Sequence, residues 1–429
     1  MTRPSSLRCR ACGEVRATAS VQYCEECFGP LDLVPGPPGA TGDELRARIE
    51  AGPPSMWRYA PLLPVPAPPG AESVGWTPLR PAPALGGAVG VADLWLKDES
   101  ANPAGSFKDR VVAAALGRAL EDGRRVAACA STGNLAHAVA GGARRAGMGA
   151  VVLVPAALPG DDRAAIAAAG ATVVPVEAGY DAVNRLAVEA SMVGETERWA
   201  WVNVGLRPWY VEGSATVAHE IAEQLGWRVP DAVVAPMASG AFALALHRAF
   251  VDLAAVGLVP AGPPPALWVA QPAGCAPVAA AFAAGADDVA PVRPDTAAPS
   301  LAMGDPPDGP EVLAAARAST GGVVAVPEHE IAPAQRRLAE LEGVAAEPAG
   351  GVVVGATARI AAAGRLPAGA TVVACITGGA HDRWVPDPGA PDRAGQGPGR
   401  VTGTIPPTVS ALSAEVAGGP TVAPEEPNR

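Results

Sequence analysis

A primary amine can form an imine with an aldehyde, and a guanidinium cannot. That distinction singles out two residues. Lysine and arginine together number 32, and only Lys97 and Lys108 are lysines. A chain that uses arginine almost everywhere keeps an amine where arginine cannot serve. Lys108 lies in LWLKDESANPAGSFKDR, residues 94–110. This stretch predicts a strand ending near Lys97, a polar loop over Asp98 to Gly105, and a helix opening near Ser106. Lys108 then stands in a first helical turn at the carboxyl end of a strand, where α/β proteins hold ligands. The helix dipole there favours the uncharged amine, the form that attacks an aldehyde.

Two further strand-to-helix turns have the makings of anion sites. In ACASTGNLAHAV a strand runs into Ser131, Thr132, Gly133 and Asn134. Its backbone N–H groups and hydroxyls suit a carboxylate, and Asn134 can donate to a phenolic oxygen. In VVAPMASGAFALAL the turn is Ala238, Ser239, Gly240 and Ala241, a candidate phosphate cradle. A third buried run, TVVACI, ends in Thr377, Gly378 and Gly379. At the front of the chain, Cys9, Cys12, Cys24 and Cys27 form two C-x2-C pairs separated by eleven residues. Two such knuckles hold a tetrahedral zinc with four thiolates, a closed structural site. Gly13 and Gly29 supply their tight backbone. Cys129 and Cys375 end apolar runs and read as inert packing residues. Among the five histidines, only His381 falls near a candidate site, four residues after Thr377.

These residues need elements to position them. DLWLK, RVAACA, AVVLVP, ATVVPV, WAWVNV, DAVVAPM, ALWVAQ, GVVAVP and TVVACI read as buried strands. Between them FKDRVVAAALGRALEDG, NLAHAVAGGARRAG, DDRAAIAAAG, YDAVNRLAVEAS, SATVAHEIAEQLG and PAQRRLAELEG read as helices. The alternation predicts an α/β fold with parallel sheets. Its length predicts two lobes with a cleft between them. The expected division is a four-cysteine zinc-ribbon-like module over 1–34, a Pro/Gly-rich connector over 35–75, a catalytic region over 76–385 with its smaller lobe at roughly 105–200, and a disordered tail over 386–429.

Composition narrows the function. Hydrophobic residues make up 49% and aromatics 4% of the 429 residues, so the core must be built from Ala, Val and Leu. A net charge of −11 argues against wrapping nucleic acid. No apolar run marks a signal peptide or membrane span. The seven cysteines, an odd count, suit a reducing compartment, so a cytoplasmic protein is expected.

With these motifs in order, the chain resembles the fold type II pyridoxal-phosphate enzymes and, within them, is similar to threonine synthase. The resemblance spans most of residues 7–384. It includes GWTPL (75–79), VNVGLRPWYVEGSAT (202–216), EIAEQLGWRVPD (220–231) and EGVAAEPAGG (342–351). It implies that Lys108 binds pyridoxal 5'-phosphate through its amine and then moves protons. Asn134 would meet the cofactor's 3-hydroxyl, Ala238, Ser239, Gly240 and Ala241 its phosphate, and Thr377 its ring nitrogen. Ser131, Thr132 and Gly133 would hold the substrate carboxylate. Phe107 would pack near the ring, and Lys97 would be structural. The implied reaction converts O-phosphohomoserine and water to threonine and phosphate.

Relatives in this family usually carry Asn at Gly205, Lys at Ala215, Lys at Pro299, Thr at Ala104 and Asn at Asp305. Here Ser106 and Arg207 remain to meet a substrate phosphate. A second enzyme reading is therefore kept, a paralogue performing β- or γ-replacement or elimination on another amino acid, like cysteate synthase or the dehydratases. A non-catalytic pyridoxal-phosphate-binding protein is the third. The expected partners are an amino-acid substrate and, in an assembly left open, a second copy as homodimer.

Overall fold

The computed structural model describes residue 3 and residues 5–18, 23–380 and 399–417. The cysteine module is a small antiparallel sheet in the order Val15–Ala17, Ser5–Cys9, Leu31–Pro35. Leu7, Cys9, Cys24, Leu31 and Leu33 are buried in the same apolar cluster as the smaller lobe, so the module packs against that lobe.

All nine apolar runs contain strands of two parallel sheets. The larger sheet has the order Gly322–Val326, Ala266–Pro272, Ala232–Pro236, Thr371–Ile376, Asp93–Asp98, with Leu79–Pro81 antiparallel at the edge. The smaller has the order Arg400–Val401, Thr172–Val176, Gly149–Pro155, Val126–Ala130, Ala200–Trp201. Unbroken Val and Ala runs suit strands covered on both faces. Alternate residues go to different cores: Val233 and Ala235 to one, Ala232 and Val234 to another. The smaller sheet is sandwiched likewise, with Cys129 on one face and Ala128 and Ala130 on the other.

The lysine helix, Lys108–Glu121, packs its apolar residues in the smaller lobe, and a clamp helix, Arg207–Gln224, runs from that core at Trp209 and Tyr210 into the core of the larger lobe at Val217 and Ile221. They touch backbone to backbone, because a Cβ on Gly213 would lie 2.4 Å from the carbonyl oxygen of Arg110. The sequence pattern placed the start of the clamp helix near Ser214. It starts seven residues earlier, because Pro208 falls in the first turn, where its missing N–H costs nothing and its φ is preset. That shift brings Arg207 and Tyr210 onto the helix, one turn apart.

The tail corrects an expectation. Residues 399–417, expected to be disordered, pair Arg400–Val401 with Thr172–Val176 and form a helix, Val409–Val416. Thr408 caps that helix by accepting from the Ala411 N–H at 3.3 Å. Ile405, Leu412 and Val416 are buried on the smaller sheet. Four-residue spacing of Leu412 and Val416 gives the helix an apolar stripe, which the surrounding Pro, Gly and Thr obscured. His381 and tail residues 386–398 and 418–429 lie outside the described residues. Among the described residues, no helix is long and apolar enough to cross a membrane.

Candidate functional site

Lys108 is the first residue of its helix and half-buried. Its Nζ donates to Tyr210 Oη at 2.6 Å and lies 4.4 Å from the Phe107 ring centroid. Phe107 links the lysine to two of the other motifs. Its N–H donates to the Thr377 carbonyl at 3.0 Å, and its ring packs on Phe242 with centroids 4.8 Å apart. Phe242 is the second residue of the helix that follows the Ala238–Ala241 turn. Ser106, buried beside the lysine, bridges to Gly378.

Asn134 opens the helix Asn134–Arg145 directly after Ser131, Thr132 and Gly133. Its Nδ2 donates to Glu347 Oε2 at 3.0 Å, and the Glu347 N–H donates to the Gly378 carbonyl at 3.0 Å. Both side chains are buried. Gly378 is required here, since a Cβ would meet Glu347 Oε1 at 2.9 Å and Asn134 Nδ2 at 3.3 Å. The four motifs are thus joined by one chain of contacts at the carboxyl ends of the strands. That is where a two-lobed α/β fold binds ligands.

Gly240 caps its helix with φ of 100°, and Ser239 Oγ accepts from the Ala241 N–H at 3.3 Å. The Ser239 carbonyl accepts from the Asp308 N–H at 3.1 Å. Arg207 reaches the same place, with Nη2 on Asp308 Oδ2 at 2.6 Å. Arg207 is therefore ion-paired, where the sequence alone left it free.

Lys97 is at the other end of the argument. It is fully buried, with Nζ on Thr77 O, Glu220 and Gln224. With Arg110, Glu99 and Glu220 it forms a buried cluster of two cations and two anions, so the structural role expected for it holds. Burial pushes the Cys129 and Cys375 thiols up, and they stay inert.

Sequence reasoning missed Tyr210, Glu347 and Asp308. Glu347 had a signal, as a lone acid before a Pro-Ala-Gly-Gly helix start inside a motif already quoted. Tyr210 also lies inside a quoted motif, but nothing there ties it to Lys108, and Asp308 had no signal, because only the fold brings them to Lys108 and Arg207.

The model of the pyridoxal-phosphate dependent enzyme family matches residues 71–378. A threonine synthase from Methanosarcina acetivorans is 34% identical over 376 residues, 87% of this chain and 91% of that protein. This chain belongs to the threonine synthase family. Another family member, the threonine synthase of Methanocaldococcus jannaschii, is 31% identical over 92% of this chain and 96% of its own length. Among solved structures, the processed threonine deaminase isoform 2 of Solanum lycopersicum shares the fold with a TM-score of 0.61 at 22% identity, covering 81% of this chain and 93% of that one. Maize serine racemase gives 0.57 at 23% identity, covering 71% and 88%.

The residues fit the family's cofactor. Among the described residues Asn134 Nδ2 is taken by Glu347 and Oδ1 is buried without a partner, so the amide has an acceptor left for a ligand hydroxyl and not the donor expected from the sequence. The 238–241 turn leaves backbone N–H groups at a helix N-terminus, a phosphate site. A Cβ on Gly240 would press to 2.8 Å from Val312 and 2.9 Å from Asp308. Gly240→Ala is accordingly expected to weaken pyridoxal-phosphate binding by about tenfold to a hundredfold, read by titrating the apoprotein, since it adds left-handed strain and moves Asp308.

The cysteines fit a metal. Their four sulfur atoms lie within 4.8 Å of one another, with Cys9 and Cys27 at 3.4 Å and Cys12 and Cys24 at 3.7 Å. Four bonds of about 2.3 Å to a tetrahedral zinc need sulfur separations of about 3.8 Å. The knuckles differ from the sequence reading in one respect. Gly13 takes a left-handed φ of 76°, but in the second knuckle Phe28 does so, at 58°. Gly29 is needed instead for space, because a Cβ there would touch Cys9 Sγ at 2.8 Å.

Proposed function

We propose that the chain is a carbon–oxygen lyase of the threonine synthase type, converting O-phosphohomoserine and water to threonine and phosphate. The observation that carries the reading is the set of contacts joining Lys108, Asn134, the 238–241 turn and Thr377 in a protein about one-third identical to threonine synthases over most of its length.

Pyridoxal phosphate, bound at Lys108, supplies an electron sink for the charge left when a proton departs from carbon. The chain does the rest. Lys108 would remove the substrate's Cα proton and then a Cβ proton, phosphate would leave Cγ with its bonding pair, a proton would return to Cγ, and water would give its hydroxyl to Cβ and a proton to Cα. Tyr210 Oη holds the lysine amine in place. Ser131, Thr132 and Gly133 present donors to the substrate carboxylate at a helix N-terminus. Asn134 and Thr377 would hold the 3-hydroxyl and the ring nitrogen, and a neutral threonine there would leave that nitrogen less protonated than a carboxylate would. Arg207 and Ser106 would be the partners of the substrate phosphate, Arg207 through the part of its guanidinium not on Asp308.

One observation favours the second reading, a paralogue acting by replacement or elimination on another amino acid. Arg207 already pairs with Asp308, and the positions of other family cations hold Ala215 and Pro299. Holoprotein given O-phosphohomoserine is expected to release equal amounts of phosphate and threonine. A cofactor absorbance band with no turnover of that compound overturns the first reading and supports the second.

A further inference from the structure

We propose that Arg10 of the cysteine module is a positioning residue for the substrate's anionic group, acting through Asp308 on Arg207. The inference rests on the reading of Arg207 as a partner of that group.

Arg10 sits between Cys9 and Cys12, and its N–H donates to the Pro30 carbonyl at 3.0 Å, so the knuckle fixes its backbone. Its guanidinium faces two ways. Nε and Nη2 fork onto Asp32 at 2.8 and 2.7 Å, inside the module. Nη1 leaves the module and donates to Asp308 Oδ1 at 2.8 Å, with Glu311 farther off at 3.4 Å.

Asp308 is fully buried. Although it precedes the helix Gly309–Ala318, its side chain makes no cap to that helix. Both oxygens are committed elsewhere, Oδ1 to Arg10 and Oδ2 to Arg207. Its own N–H is on the Ser239 carbonyl, in the turn assigned to the cofactor phosphate. One carboxylate therefore joins the cysteine module, the phosphate turn and the clamp helix.

The consequence lies in how Asp308 is shared. A carboxylate free on both oxygens takes an arginine as a two-point fork, which satisfies that arginine's charge and fixes its plane. With Oδ1 held by Arg10, Arg207 gets a single hydrogen bond, from Nη2. Its side chain is 26% exposed, and among the described residues its Nε and Nη1 have no hydrogen bond, which leaves them for an anion. Tyr210, one turn along the same helix, touches Lys108, so this turn already faces the reacting centre. Removing Arg10 returns both oxygens of Asp308 to Arg207, which then neutralise it and draw it back. The module thus sets the strength of an anion site about two hundred residues away in sequence, while its own metal site stays closed.

Arg248 provides a matched control. It also pairs with Asp32, at 3.0 Å, and makes no bond to Asp308. In the holoenzyme, Arg10→Gln is expected to raise KM for O-phosphohomoserine about tenfold with kcat within about twofold, and to weaken inorganic phosphate binding, measured calorimetrically, by the same factor. Arg248→Gln is expected to leave both unchanged. If Arg10→Gln does not fold, Arg10→Lys, which keeps a cation but cannot fork Asp32 and reach Asp308 together, should show the same split to a smaller degree. Phosphate binding that is absent in the wild type, equal in wild type and Arg10 variants, or equally weakened by Arg248→Gln overturns the proposal. Arg10-dependent phosphate binding without turnover of O-phosphohomoserine leaves the relay standing and overturns the reaction assignment instead.

Discussion

Lys108→Ala is expected to lower turnover by about four orders of magnitude or more and to remove the visible cofactor band in the same preparation. The two losses have one cause, since the amine both binds the cofactor and moves the substrate's protons. No other amine can take over. The only other lysine, Lys97, is fully buried with three partners on its Nζ. Lys108→Arg should fail equally, although it keeps the charge, because a guanidinium does not form the imine. That second variant also separates chemistry from folding. Lys108 is half-buried and, among the described residues, its Nζ makes one hydrogen bond, to Tyr210, so Lys108→Arg should unfold near the wild-type temperature. Turnover or a retained band in either variant would remove Lys108 from the centre of the mechanism.

The lysine, the Ser131–Asn134 turn, the Ala238–Ala241 turn and Thr377 were legible in the sequence because each sits directly after a strand. Unbroken apolar runs announce such strands, and parallel packing puts their carboxyl ends together. What a motif touches was not legible. Tyr210 is 102 residues from Lys108, Glu347 is 213 from Asn134, and Asp308 is 298 from Arg10. Nothing local marks such pairs. Local composition also misled. The helix Pro348–Ala362 reads as Gly- and Val-rich, poor helix formers, and is helical because it is buried against the larger sheet. The first turn of the clamp helix was hidden by Pro208, and the ordered tail by its prolines and glycines.

The other lysine leads to the largest expected effect on stability. Glu220 collects five donors on one carboxylate: Lys97, two nitrogens of Arg110, and the N–H groups of Trp76 and Thr77. Trp76 holds a left-handed φ of 51°, so the GWTPL segment is strained and Glu220 clamps it. Arg110 lies two residues after Lys108, and Glu220 lies on the clamp helix, so the cluster locks together the helices that carry Lys108 and Tyr210. Glu220→Gln leaves Lys97 and Arg110 buried with only Glu99 to balance them. The expected cost is about 3–5 kcal/mol of folding stability, read as a lower denaturant midpoint. The pH dependence tests the cause. Burial alone would raise the Glu220 carboxyl, but Arg110 and Lys97 override it and bring it down to about 2, from an ordinary value of 4.5. A carboxyl lowered on folding stabilises fully above its unfolded value, and that stability drains away as pH falls toward the folded one. The difference between wild type and Glu220→Gln should therefore be constant from pH 6 to 8, roughly, and shrink as pH drops below about 4.5 toward 2. A difference that stays constant across that acid range would mean that Glu220 acts through packing and not through its charge.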